Sequence, residues 1–108
     1  MIQGGDPTGT GTGGPGYSTR DTPPRDTSYL KGTVAMAKTE AEPRGTAGSQ
    51  FYIVTGADAG LPPDYAVVGK VVSGIDVVGR IGRLGDPSSP TGAPTKTVVL
   101  DKASVRGG

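Results

Sequence analysis

The sequence predicts a mainly β domain with four short strands, one short helix and long loops. Three observations predict it. Apolar residues gather in short runs rich in β-branched and aromatic side chains. The runs are separated by loops that hold most of the 20 Gly and 10 Pro among 108 residues, where an average chain has roughly 12% of the two together. Only one segment shows helical spacing. A hydrophobic content of 32% and a net charge of +1 argue against a chain held open by self-repulsion.

The elements follow in order. Residues 4–28 are Gly, Pro, Thr, Ser and charge, and predict a loop. Residues 29–38 hold the first apolar run, where Val34 and Met36 alternate with Thr33, Ala35 and Ala37. That alternation predicts a strand with one large-residue face. Residues 39–49 return to loop composition. Phe51-Tyr52-Ile53-Val54-Thr55 is all β-branched or aromatic and is the most strand-like segment. A loop over 56–64 leads to a strand over 65–72, with Gly69 as its bulge or bend. Ser73 is placed to cap a helix over about 74–83, whose Val77, Val78, Ile81 and Leu84 fall on one face. Residues 85–95 are loop, and a last strand runs over 97–100 and on to Val105. Strands without alternating helices exclude a βαβ repeat.

The absences exclude whole classes of chemistry. With no Cys there is no disulfide, thiolate zinc site or cysteine nucleophile, and with no His there is no serine triad. No apolar run approaches the ~18 residues of a membrane span. Lysines and arginines alternate with acids along the chain, so no basic patch predicts nucleic acid as a partner. Arg80 and Arg83 read as a solvated helix face. Two Gly-x-Gly-x-x-Gly matches, at Gly9 to Gly14 and Gly11 to Gly16, lack the preceding strand and following helix that pyrophosphate binding needs. Glu40 with Glu42, and Asp58 with Asp64, read as loop charges with nothing apolar nearby to raise a pKa.

One ordered set of motifs carries more. Met1-Ile2-Gln3-Gly4-Gly5-Asp6 is followed by Gly11-Thr12-Gly13-Gly14, then by Gly32-Thr33-Val34-Ala35-Met36-Ala37. Gly45-Thr46-Ala47-Gly48-Ser49-Gln50-Phe51-Tyr52-Ile53 comes next. Val68-Gly69-Lys70-Val71 and Gly74-Ile75-Asp76-Val77-Val78 close the set. This order resembles the cyclophilin family of peptidyl-prolyl cis-trans isomerases over about residues 1–105. The Leu61-Pro62-Pro63-Asp64-Tyr65 loop looks like a bacterial branch of it.

The resemblance implies a cyclophilin-like antiparallel β-barrel, incomplete here, with residues 1–108 as one domain matching the C-terminal portion of the family's. It implies isomerisation of X-Pro bonds in peptides and unfolded proteins, in the cytoplasm, without cofactor or metal. Gln3 matches the residue that hydrogen-bonds the substrate backbone and is the catalytic candidate. Met1 and Tyr52 match the floor and wall of the proline pocket, with Tyr52 in place of the usual Phe. Leu61 matches its rim, Ala37 and Gln50 the neighbouring groove, and Tyr65 the place of a rim His.

The sequence departs from the family in instructive ways. The section that precedes Gln-Gly-Gly-Asp in family members has no counterpart, nor do its amide-contacting Arg and one pocket Phe. The Trp that contacts cyclosporin falls on Gly60, so weak binding of that drug is expected. Reduced activity, open sheet edges and marginal stability or self-association follow as expectations. The rival readings are a non-catalytic module binding proline-containing segments and an inactive fragment.

Overall fold

The computed structural model describes residues 1–89 and 93–106. Among the described residues, six strands and one helix occur in the order β1 (Ile2–Gly4), β2 (Thr19–Arg20), β3 (Thr33–Met36), β4 (Thr46–Ala47), β5 (Phe51–Ile53), β6 (Val67–Lys70) and α1 (Ile75–Gly82). Four strands form an antiparallel sheet in the order β1-β5-β3-β6, and β2 pairs with β4 apart from it. Among the described residues the main sheet does not close into a barrel, and β1 and β6 are its edges. No helix among the described residues is long and apolar enough to cross a membrane.

Three expected strands and the helix are present, each shorter than the apolar run that predicted it. β1, β2 and β4 were not legible, because two or three residues show no alternation. Gly69 does mark a bulge. Val34 pairs with Gly69 and Ala35 with Val67, so Val68 is the extra residue on β6.

Four expectations need correction. Residues 97–105 form no strand, and Val99 is 71% exposed and Leu100 69%. The run has strand-forming residues but pairs with no sheet edge among the described residues, so its exposed backbone is left to water. The cap of α1 is Gly74 rather than Ser73, with φ 86° and no side-chain hydrogen bond. The chain enters the helix through a left-handed residue, which Gly adopts without strain. The helix buries Val78, while Val77 is 44% exposed. Its inner row is Ile75, Val78 and Ile81, at a spacing of three. Finally, the buried position of β3 is Ala35 and not Val34 or Met36.

The last correction follows from register. Gln3, Tyr52 and Ala35 are cross-strand partners on one face, and Ile2, Ile53 and Val34 are partners on the other. The Tyr52 face holds the core of Tyr29, Ala35, Tyr52 and Val54. Ala35 is fully buried in that core beside its cross-strand partner Tyr52. α1 lies against the other face. A Cβ on its Gly82 would meet Thr55 Cγ2 at 3.4 Å and Ile2 Cγ2 at 3.7 Å.

Candidate functional site

A cleft of about 140 Å³ opens on the Tyr52 face, lined by Met1, Gln3, Ala37, Lys38, Tyr52, Leu61 and Tyr65. β1 and β5 supply Gln3 and Tyr52, and Ala37 directly follows β3. The loop after β5 supplies Leu61 and Tyr65. Tyr29 and Arg44 fix that loop. The Tyr29 hydroxyl donates to Tyr65 O (2.7 Å) and accepts from Tyr65 N (2.9 Å), while Ala59 N donates to Tyr29 O (2.9 Å). The Arg44 guanidinium bonds Pro63 O through Nη2 (2.7 Å) and Nε (3.1 Å), reaches Pro23 O (3.1 Å), and pairs with Asp64 at 3.3 Å. Gly45 lets the next strand begin beside that clamp. A Cβ there would lie 2.6 Å from the Asp21 backbone.

The wall of the cleft is aromatic. Tyr65 meets Tyr52 edge-on at 5.7 Å between centroids and Tyr29 at 5.8 Å, a favoured geometry for ring quadrupoles. The two buried tyrosines differ in one respect. Tyr29, 0% exposed, has its hydroxyl bonded twice. Tyr52, 2% exposed, has a buried hydroxyl without a partner among the described residues. Burial, with the nearby Tyr29 and Tyr65 hydroxyls, holds the Tyr52 phenol well above its ordinary pKa, so it stays neutral. An unmet buried hydroxyl costs about 1–3 kcal/mol.

The polar side of the cleft is a relay of two amides. Gln50 Nε2 donates to Gly11 O (3.1 Å) and Gly13 O (2.8 Å). Those two carbonyls can only accept, so the Gln50 oxygen must face away from them. It accepts from Gln3 Nε2 at 2.9 Å. Gln3 is thereby held with its own oxygen and one N–H left over for a ligand. Of the seven residues expected at the site, six line the cleft. Gln50 does not, because its amide is turned to the Gly11 loop; it stands behind Gln3 instead.

That loop is organised by Asp6. Its carboxylate accepts from Thr8 N (2.8 Å), Thr10 N (2.9 Å), Gly11 N (2.5 Å) and the Thr8 hydroxyl (2.8 Å). Desolvation acts to raise the Asp6 pKa. Hydrogen bonds from Thr8, Gly13 and Gly11 outweigh it and hold the carboxyl well below the usual range. The Gly-rich loop therefore wraps its amides around its own carboxylate, in the role a phosphate would have in a nucleotide loop.

Lys38, Tyr29, Arg44 and Asp6 were not singled out from sequence. Lys38 directly follows Ala37, and that adjacency was the available signal. The loop acids have local roles: Glu42 accepts from Thr39 N (2.8 Å) and Asp58 from Gly60 N (2.8 Å). A larger cavity, about 530 Å³, lies along β6 among Pro23, Pro24, Thr27, Val67 and Lys70. It borders a free sheet edge, and Asp21, Thr22, Ser28 and Thr33 also line it, but it has no aromatic wall, so the smaller aromatic cleft is the better candidate for seating a proline ring.

Residues 1–105 match the family described as cyclophilin type peptidyl-prolyl cis-trans isomerase/CLD, and the chain belongs to that family. It is 33% identical over 109 residues to the peptidyl-prolyl cis-trans isomerase-like 3 of Dictyostelium discoideum, covering 97% of this chain and 65% of the relative. It is 36% identical over 110 residues to a probable peptidyl-prolyl cis-trans isomerase A of Mycobacterium leprae, covering 97% and 57%. A mouse peptidyl-prolyl cis-trans isomerase-like 3 is 38% identical over 88 residues, covering 78% and 53%. The chain thus spans between about half and two thirds of the length of these relatives. No solved structure matches it.

Proposed function

We propose that the chain binds X-Pro segments of peptides and unfolded proteins in the Tyr52 cleft and accelerates their cis–trans rotation. The observation that carries this is an aromatic cleft with one fixed amide, Gln3, at its edge. X-Pro rotation has a barrier of about 18–20 kcal/mol because the amide is conjugated. No bond breaks, so no nucleophile is required. The protein need only bind the twisted amide better than either planar form.

The residues divide that work. Met1, Leu61, Tyr52 and Tyr65 supply an apolar seat for the ring and exclude water. Gln3, held by Gln50, presents a hydrogen-bonding group to the flanking backbone while the carbonyl swings. Ala37, small and directly after β3, leaves room for the neighbouring residue. We read residues 1–108 as one unit, the C-terminal portion of a cyclophilin-like domain, acting in the cytoplasm. The lack of cysteine fits that compartment.

A second reading has its own observation. The cation lining the cleft is Lys38, whose ammonium is engaged by the Tyr65 ring and Thr39 O at the rim, so no guanidinium is offered to the twisted amide. That favours a module that binds proline segments with little rate enhancement. Two-dimensional exchange NMR on a short X-Pro peptide with substoichiometric protein decides. Protein-dependent cis–trans cross-peaks are the expected result. Peptide shifts without exchange establish the binding module, and neither effect overturns both readings.

A further inference from the structure

We infer that Lys38 selects for an anionic group beside the proline, so that the preferred segments carry a carboxylate or a phosphate next to the prolyl bond. This inference rests on the proline-segment reading. Lys38 is the one charged side chain among those lining the cleft. Its ammonium sits over the Tyr65 ring, 5.2 Å from the centroid, and donates to Thr39 O at 3.2 Å. The ring contact holds the cation at the rim instead of letting it sweep through solvent.

The other charges nearby are already engaged. Arg44 is paired with Asp64 at 3.3 Å, and Glu42 accepts from the Thr39 amide at 2.8 Å. Among the described residues no carboxylate lies within ion-pair distance of Lys38 Nζ. A cation with no carboxylate in ion-pair distance, on the rim of a cleft whose other lining side chains are uncharged, favours ligands that bring the counter-charge. With the ring seated against Tyr52 and Leu61, the residue next to proline is the one that meets Lys38.

The test is exchange NMR on matched peptides with Glu, Gln or Lys placed before or after the proline, together with Ser and phosphoserine versions. In at least one placement the Glu peptide should exceed the Lys peptide by about fivefold in catalysed exchange at low ionic strength, falling to within about twofold in concentrated salt. Lys38→Gln should collapse that ratio towards one, and Lys38→Arg should keep it, with amide spectra of both variants showing the wild-type fold. A gain with Glu alone assigns a carboxylate partner, and a gain with phosphoserine alone assigns a phosphate. Equal rates for every charge state, or a Glu preference that survives in Lys38→Gln, overturns the inference. If even the Gln peptide shows no exchange, the isomerase reading fails separately. The same peptides are then compared by shift titration, where equal affinities for Glu and Lys overturn the role of Lys38.

Discussion

The Tyr52 face and the β6 edge are made of comparable apolar residues, yet one is buried and the other is not. Around Tyr52, strands on both sides and a clamped loop in front bury Tyr29, Ala35 and Val54 to within 1% exposure. At the other end of the sheet every residue of β6 is exposed, Val68 at 63%, and residues 97–105 lie exposed without pairing. A run of valines is thus a capacity for burial, and a neighbouring element decides whether it is realised. The cleft lies on the half where that capacity is met.

The largest test of this contrast is Tyr29→Ala. It should destabilise by about 3–5 kcal/mol, read as a lower denaturant midpoint, and it should disorder the Leu61–Tyr65 loop. A loss under 1 kcal/mol would place the core elsewhere.

Removing single hydroxyls sharpens the comparison inside the buried half. Tyr29→Phe leaves Tyr65 N and O without their partner and should cost about 1–3 kcal/mol. Tyr52→Phe removes a hydroxyl that has no partner among the described residues and should gain about 1 kcal/mol. Losses of equal size from both would show that Tyr52 is bonded after all.

Asp6 gives a pH signature. Its carboxyl is held below the usual value of 3.8, so its contribution to order in the loop is present above that pH. It is lost as pH falls further, through the lowered value. Amide shifts of Thr8 and Gly11 should hold to below pH 3.8, and Asp6→Asn should abolish that titration. At the small end, Val99→Ser should change stability by less than about 0.5 kcal/mol. A loss above 1 kcal/mol would mean that the C-terminal run is packed.

Much of this was legible where side-chain type and partner coincide. Phe51–Ile53 reads as a strand because its residues suit a pleated sheet and two strands flank it. The 97–105 run carries the same preference and fails, since a sequence displays preference and not the partner. Ala35 was misjudged because the face it presents to the core is set by its pairing with Tyr52, seventeen residues on, and not by the alternation within β3. The cleft residues came from motif resemblance, and it could not tell that Gln50 supports Gln3 from behind. Lys38 escaped because one lysine at a strand end makes no pattern until Tyr65 is folded beneath it.

The most direct test of the account is a titration of a short X-Pro peptide into ¹⁵N-labelled protein, followed by backbone amide shifts. The account predicts saturable shifts at Gln3, Ala37, Tyr52, Leu61 and Tyr65, with the β6 amides of Val67–Lys70 unmoved. Shifts confined to β6 and the Thr22–Thr27 stretch, with the Tyr52 face silent, would contradict it and move the binding site to the exposed edge.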